Sequence, residues 1–532
     1  MAAYLPSDCL SNIFSYFDTD AKSLYSSLLV NRTWCLNVVP ILWRRTFYLT
    51  SLSNFSSKKR CQLVATYLTC MAVNKIPNPI LNGTFPDVTL ISSTADEKFS
   101  TPTFDYAEFL RGFDYYDVYQ AIGCWYAFQT YDKKQLIKFD RFSKNLDDSE
   151  CCKLILTREL IKYIVYRSPT IDYLALDAER IIPFDFWSFS SFPGAQNCLS
   201  YIRTFVCRGS ASKLNVYTSL AQWCNNIESI TLYEIGDDDP KAEALSNLIR
   251  SQRKLCEFIL WGGMNNQLSQ IINSLALQGF GLKYLEFRFC NFDQCTPLDT
   301  LAISCTKLTT LKFIQCGDLQ SNITPNLLHP IFPDLEVLDL QGTQIPTEAL
   351  ESIFKCANVD LRNINIEKTE SRYSRIIESI ANNCKNITKI KARLTKDKMT
   401  QLSKLFQSCN NLESLKLYGP LPDRLYIFTQ DASDDILINL RKIVPATLKE
   451  LALKTDCAFT ASAIEIFLKD CHADLNRLEF ISYGSVWQHL NVIKKYAKRR
   501  GLKIKEQVAG NYNELLMREL GHIIVEFENL DK

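Results

Sequence analysis

The chain has 532 residues, 47% of them hydrophobic and 22% charged, with a formal net charge of +2. That length exceeds a single compact core and implies several domains or a repeat array; the near-neutral balance excludes a general nucleic-acid binder, which needs a concentrated basic field. No apolar run approaches the ~20 residues of a membrane helix, and Met1–Leu5 is too short and neutral for a secretory signal, so a cytosolic or nuclear protein without a membrane partner is expected, its 20 cysteines mostly reduced.

The first element is helical. Pro6 suits a first helical turn and pushes Leu5 into an extended conformation. Asp8 favours the positive end of the helix dipole. Leu10, Ile13, Phe14 and Phe17 then follow at i, i+3, i+4 and i+7, one apolar stripe. A second helix is expected around Lys22–Leu29, carrying Leu24, Leu28 and Leu29, and a third around Arg32–Val39, closed by Pro40 and followed by Trp43. A helical stripe by itself reads as the core of a small capping hairpin.

Four submotifs in order, Leu-Pro, Leu-x-x-Ile-Phe, Val-Asn-Arg-x-Trp and Pro-x-Leu-Trp, resemble the F-box over residues 1–47. Phe17 stands where the family usually has leucine. The resemblance implies docking onto a Skp-family adaptor and, through it, a cullin. It implies that Leu5, Pro6, Leu10, Ile13 and Phe14 pack against the adaptor, while Leu28, Val30, Trp34 and Trp43 hold the helices together.

Residues 48–165 form a connecting segment of helices and loops. A helix is expected over CQLVATYLTCMAV, a loop over Lys75–Ser100, and a charged loop over Lys133–Glu150. Between them lies an aromatic-dense run from Phe104 to Phe128, too aromatic for disorder. Buried packing between the F-box-like region and the repeats is the ordinary reading, with an aromatic ligand pocket as the alternative.

From about residue 166 to 507 the pattern apolar-x-x-apolar-x-apolar recurs. The clear copies begin at Leu282, Leu308, Leu335, Leu412, Leu448 and Leu475, the weaker ones at Ile171, Ile202, Ile227, Leu255, Leu361 and Ile387. From 282 to 412 successive starts are 26, 27, 26, 26 and 25 residues apart, within the range of leucine-rich repeats. Helix-patterned runs such as TEALESIFKCA separate them. Cys224, Cys305, Cys384 and Cys409 each lie three residues before a start, and Cys290 and Cys316 each eight after one. This resembles the cysteine-containing subclass of leucine-rich repeats, in which a small thiol fills the core. Zinc would need ligands converging at short spacing, which Cys151-Cys152 and Cys471-His472 lack. The expected fold is thus an α/β solenoid of about 12 repeats with a parallel sheet on its concave face, ending in a C-terminal tail over 508–532.

Residues between the inward leucines point outward. Among these, Tyr233, Trp261 and Arg288 would be neighbours of the types enriched at binding hot spots. Lys391, Arg393, Lys416 and Lys454 would form a basic strip suited to an acidic or phosphorylated protein, although charged outward positions are expected on any exposed sheet. The step from 412 to 448 exceeds the period, so a loop is expected over 419–435. The run Lys494–Arg500 reads as the solvated face of a final helix, or as a nuclear-import patch.

Four histidines, His329, His472, His489 and His522, accompany no nucleophile motif, Walker loop or dinucleotide loop. The sequence therefore reads as a non-catalytic subunit without cofactor or metal. The family resemblance implies the substrate receptor of an SCF-type ubiquitin ligase. A receptor gated by a small molecule on the concave face, as in plant hormone receptors of this fold, and a scaffold unconnected with ubiquitin remain as alternatives.

Overall fold

The computed structural model describes residues 5–18, 20–47, 56–73, 102–133, 148–177, 192–208, 213–233, 239–263, 265–293, 295–317, 319, 331–357, 360–367, 373–394, 396–419, 433–509 and 520–529. The loop expected over Lys75–Ser100, residues 134–147 of the loop expected over Lys133–Glu150, most of the 419–435 loop, and His329 lie outside them, while Lys133 and Asp148–Glu150 are helical rather than loop. The chain divides into two compact units, residues 1–255 and 256–532.

The first unit opens with α1 (Ser7–Ser15), α2 (Ala21–Leu28) and α3 (Arg32–Leu42). Local side chains set the helix starts. The Asp20 carboxylate accepts from the Lys22 and Ser23 amides, and the Asn31 amide oxygen accepts from Trp34 N–H at 2.9 Å. Pro40 was expected to close α3, yet the helix runs on to Leu42 with Pro40 inside it. The apolar stripes meet in a core of Leu10, Phe14, Leu24 and Val38, with Leu28, Trp34, Ile41 and Leu42 against it. Phe14 and Trp34 meet edge to face at 5.0 Å.

Helices α4 (Ser57–Val73), α5 (Tyr115–Lys133) and α6 (Asp148–Arg167) come next, with the short strand β1 (Gly112–Asp114) before α5. The aromatics here are mostly interior: Tyr67, Phe113, Tyr115, Tyr119 and Tyr126 are buried. They also form a joint. Trp43 stacks on Tyr106 at 4.0 Å and meets Tyr67 edge-on at 5.4 Å. Arg44 forms a 2.8 Å ion pair with Asp172, and its carbonyl accepts from Arg111 N–H. Trp43 thus ties the three-helix region to the connecting segment. Strand β1 pairs in parallel with β2 (Tyr173–Asp177), β2 with β3 (Thr204–Arg208), and β3 with β4 (Ser229–Tyr233).

The second unit alternates strand and helix. Its strands are β5 (Glu257–Gly263), β6 (Tyr284–Cys290), β7 (Thr310–Ile314), β8 (Val337–Asp339), β9 (Asn363–Ile366), β10 (Lys389–Arg393), β11 (Ser414–Tyr418), β12 (Glu450–Phe459) and β13 (Arg477–Tyr483). Each pairs in parallel with the next. The register keeps equivalent residues side by side, as in Leu285, Leu311, Leu338, Ile364, Ile390, Leu415, Leu451 and Leu478, all buried. A mostly parallel sheet with intervening helices is compatible with an α/β solenoid.

Two features were not legible beforehand. Gly262, Phe289, Gln315 and Gly342, one per rung, all have positive φ. Each lies within the last two residues of its strand or up to three residues beyond it, in a left-handed conformation that glycine adopts freely and Phe289 and Gln315 only under strain. Second, the C-terminal segment read as an unassigned tail carries β15 (Leu520–Asn529). This strand inserts antiparallel between β13 and β14 (Leu502–Ala509).

Candidate functional site: an N-terminal helical domain and an outward sheet face

Within α1, Leu10 and Phe14 are only 2% and 3% exposed. They were expected to face an adaptor, but the core of their own domain occupies both. Helix phase explains the separation: Ile13 neighbours Phe14 in sequence yet lies about 100° around the axis, and it is 44% exposed. Leu5 and Pro6 are also exposed. Val30, expected to hold helices together, is likewise exposed, as are Phe17 and Leu29. The three-helix domain therefore buries one apolar set and shows another to solvent. These exposed large apolar side chains make the domain's surface the first candidate site.

A model of the F-box-like family matches residues 2–48. Residues 2–48 are an F-box-like domain. No curated protein matches the chain. F-box domains are typically non-catalytic adaptor elements that generally bind Skp1-family proteins.

The outward sheet face is the second candidate. Tyr233 belongs to the first unit, where the Arg208 guanidinium lies 4.9 Å from its ring centre. In the second unit, Arg288 lies 4.6 Å over the Trp261 ring and is held by Glu286. Glu286 is buried and is also bound by Tyr284 and by Lys312, the latter at 3.4 Å. Burial alone would raise its carboxyl; the hydrogen bonds from Tyr284 and Arg288 and the charges of Lys312 and Arg288 outweigh it and hold the group below the usual range.

The lysines read as a basic strip are paired across rungs. Lys391 pairs with Glu367, Lys416 with Glu450 at 2.8 Å, and Lys454 with Glu479 at 2.6 Å. Lys391 and Lys454 also approach the Tyr418 ring, at 5.4 and 5.9 Å. Arg393 ends β10. The face is consequently a lattice of alternating charge.

Glu479 is its most constrained member. It is buried and bound by Lys454, by Arg477 at 3.1 Å and by His522 of β15 at 2.8 Å. Burial would raise its carboxyl, but hydrogen bonds from His522 and Lys454, the Lys454 charge and a hydrogen bond from Arg477 pull it down to about 2.

Other chemistry-bearing residues pack. His489 is buried between the Ser485 and Phe459 carbonyls at 2.9 and 2.8 Å. Cys224, Cys305 and Cys384 are fully buried, which pushes their thiols up to about 12, and Cys409 rises to about 11. Among the described residues no group of three or more His, Cys, Asp or Glu side chains could hold a metal ion, and no helix is long and apolar enough to cross a membrane.

Proposed function

We propose that this chain is the substrate-recognition subunit of an SCF-type ubiquitin ligase. Its F-box-like domain docks on a Skp-family adaptor, and the adaptor joins it to a cullin. The strand–helix units are leucine-rich repeats of the cysteine-containing kind, and their outward sheet face receives a protein substrate. The chain performs no chemistry. It raises the effective concentration of a substrate lysine near the ubiquitin carrier. Such a complex works in the cytosol or nucleus.

The observation that carries this reading is the exposed apolar set of a folded F-box-like domain: Leu5, Ile13, Phe17, Leu29 and Val30. Together with Pro6 these are the proposed adaptor contacts, and Leu10 and Phe14 support them from beneath.

The test is co-expression with a Skp-family adaptor followed by size-exclusion chromatography. An Ile13→Asp, Leu29→Asp variant changes exposed positions and leaves the core intact. Phe280→Asp, at an exposed position outside the domain, is the control. Adaptor co-elution should be lost in the first variant and kept in the control. A folded wild-type chain that does not co-elute removes the ligase reading.

A further inference from the structure

The helix Val486–Arg500 follows β13 and ends in the run Lys494–Arg500, which holds five cations in seven residues; the whole helix contains no carboxylate. Its inner side packs. His489, Leu490, Ile493 and Ala497 are buried, and Tyr496 meets Phe527 of β15 edge to face at 5.8 Å. At about 100° per residue, Trp487, Lys494 and Lys498 fall within about 40° of one another on the outer side, and Lys495 lies about 80° from Trp487. All four are exposed, Trp487 at 73%. The outer side thus joins an aromatic ring at the start of the helix to cations at its end.

The carboxylates nearby do not neutralise it. Glu506 of β14 takes Lys494 at 3.0 Å, and Asp474 takes Arg500 at 2.6 Å. Lys495, Lys498 and Arg499 have no carboxylate within 4 Å among the described residues. The preceding helix, Ala461–Asp470, brings Glu465 and Lys469, one charge of each sign, and Asp470, which Arg441 binds at 3.0 Å. Glu526 and Glu528 of β15 lie on the other sheet face, because Phe527 between them faces the helix and strand neighbours alternate. There they stand in register with Lys505 and Lys503. With all of these counted, Lys495, Lys498 and Arg499 remain uncompensated. The helix dipole favours cations in the last turn; it accounts neither for Lys495 nor for an exposed tryptophan.

We infer that this side of the helix docks on an anionic membrane surface, with Lys495, Lys498 and Arg499 among the lipid headgroups and Trp487 at the interface. Surface attachment needs no spanning helix. The layout favours a bilayer over a compact anion. Trp487 and Lys498 are about 16 Å apart along the axis, and the cations project from a convex helix instead of converging on one point. A plane of anionic headgroups meets them along that whole length. Clustered cations on an amphipathic helix, with tryptophan at its edge, suit such a plane. The apolar side of this helix is already occupied by the protein's own core. Charge and a single ring therefore carry the attachment, which makes it weak, reversible and sensitive to salt. This goes beyond the receptor reading and does not depend on it.

The experiment is co-sedimentation of the full chain with vesicles of phosphatidylcholine alone and of phosphatidylcholine with about 30% phosphatidylserine. The wild type should bind the anionic vesicles at least about tenfold more tightly, and salt at about 0.5 M should release it. A Lys495→Glu, Lys498→Glu variant should lose that preference. A Lys503→Glu, Lys505→Glu variant makes the same change in net charge on the other sheet face, at exposed positions, and should keep it. Trp487→Ser should weaken binding to the anionic vesicles roughly tenfold. Thermal melts establish that each variant is folded. Equal binding to both kinds of vesicle, binding to neither, or a loss as large in the Lys503, Lys505 variant as in the Lys495, Lys498 variant overturns the inference. An unchanged affinity in Trp487→Ser overturns it as well. Capture of polyglutamate by a chain that ignores both vesicles would overturn it in favour of an acidic protein partner. Adaptor co-elution should be the same in every variant, so the receptor reading stands or falls separately.

Discussion

Glu479→Gln removes one charge from a buried cluster and leaves Lys454, Arg477 and His522 facing one another. The folded-state carboxyl lies at about 2 against an ordinary value of 4.5. That displacement of about 2.5 units corresponds to roughly 3 kcal/mol at pH 7, within the range of about 3–5 kcal/mol for breaking a buried ion pair. Because the folded value is depressed, the contribution is complete above the unfolded value and declines as pH falls towards the folded one. By pH 3 it should shrink to less than half, on the order of 1.4 kcal/mol, and near pH 2 almost vanish. Urea unfolding of wild type and Glu479→Gln at pH 7, 5 and 3 measures this. Hydrogen exchange should also show β15 opening more readily in the variant, since His522 is its side-chain tie to Glu479. A stability difference below about 0.5 kcal/mol at pH 7, or one that does not change with pH, would refute the account.

Phe289→Gly should stabilise the fold by about 0.5–1 kcal/mol, because a non-glycine residue at φ 54° is strained and the side chain is 55% exposed; a loss above about 1 kcal/mol in urea melts would mean that the Trp261 contact matters more. Gly279→Ala should cost about 2–3 kcal/mol, since a Cβ there would lie 2.3 Å from the Ser304 carbonyl oxygen, and thermal denaturation reads the loss. Under native conditions at pH 8, iodoacetamide should modify exposed Cys9 while Cys224, Cys305 and Cys384 stay protected until urea unfolds the chain. Peptide mass mapping would show otherwise.

The repeat strands were legible because their period is imposed by the backbone. Leu282, Leu285 and Phe287, read from spacing alone, are all fully buried in the rung containing β6. The charges on the outward face were not legible as a network. Lys416 finds Glu450 only because β11 and β12 pair in register, although the two residues are far apart in sequence. A strip of cations in sequence therefore became a row of ion pairs in space. Strand β15 escaped notice for a related reason: it returns antiparallel, so the repeat spacing that announces the other strands does not extend to it. In α1 the apolar stripe was plain, but a stripe does not reveal whether a domain or its partner covers it. Leu10 and Ile13 differ in that respect by less than one helical turn.

The joint behind the F-box-like domain has a mechanical consequence. To swivel relative to β1 and β2, the domain would have to unstack Trp43 from Tyr106 and part Arg44 from Asp172. The Arg111 amide would also have to leave the Arg44 carbonyl. Stacking, an ion pair and a main-chain hydrogen bond must all yield together. Torque on the helices passes into the first strands rather than dissipating in a tether. Whatever holds the F-box-like domain therefore also sets the bearing of β1 and β2, as a bracket sets the bearing of a shelf.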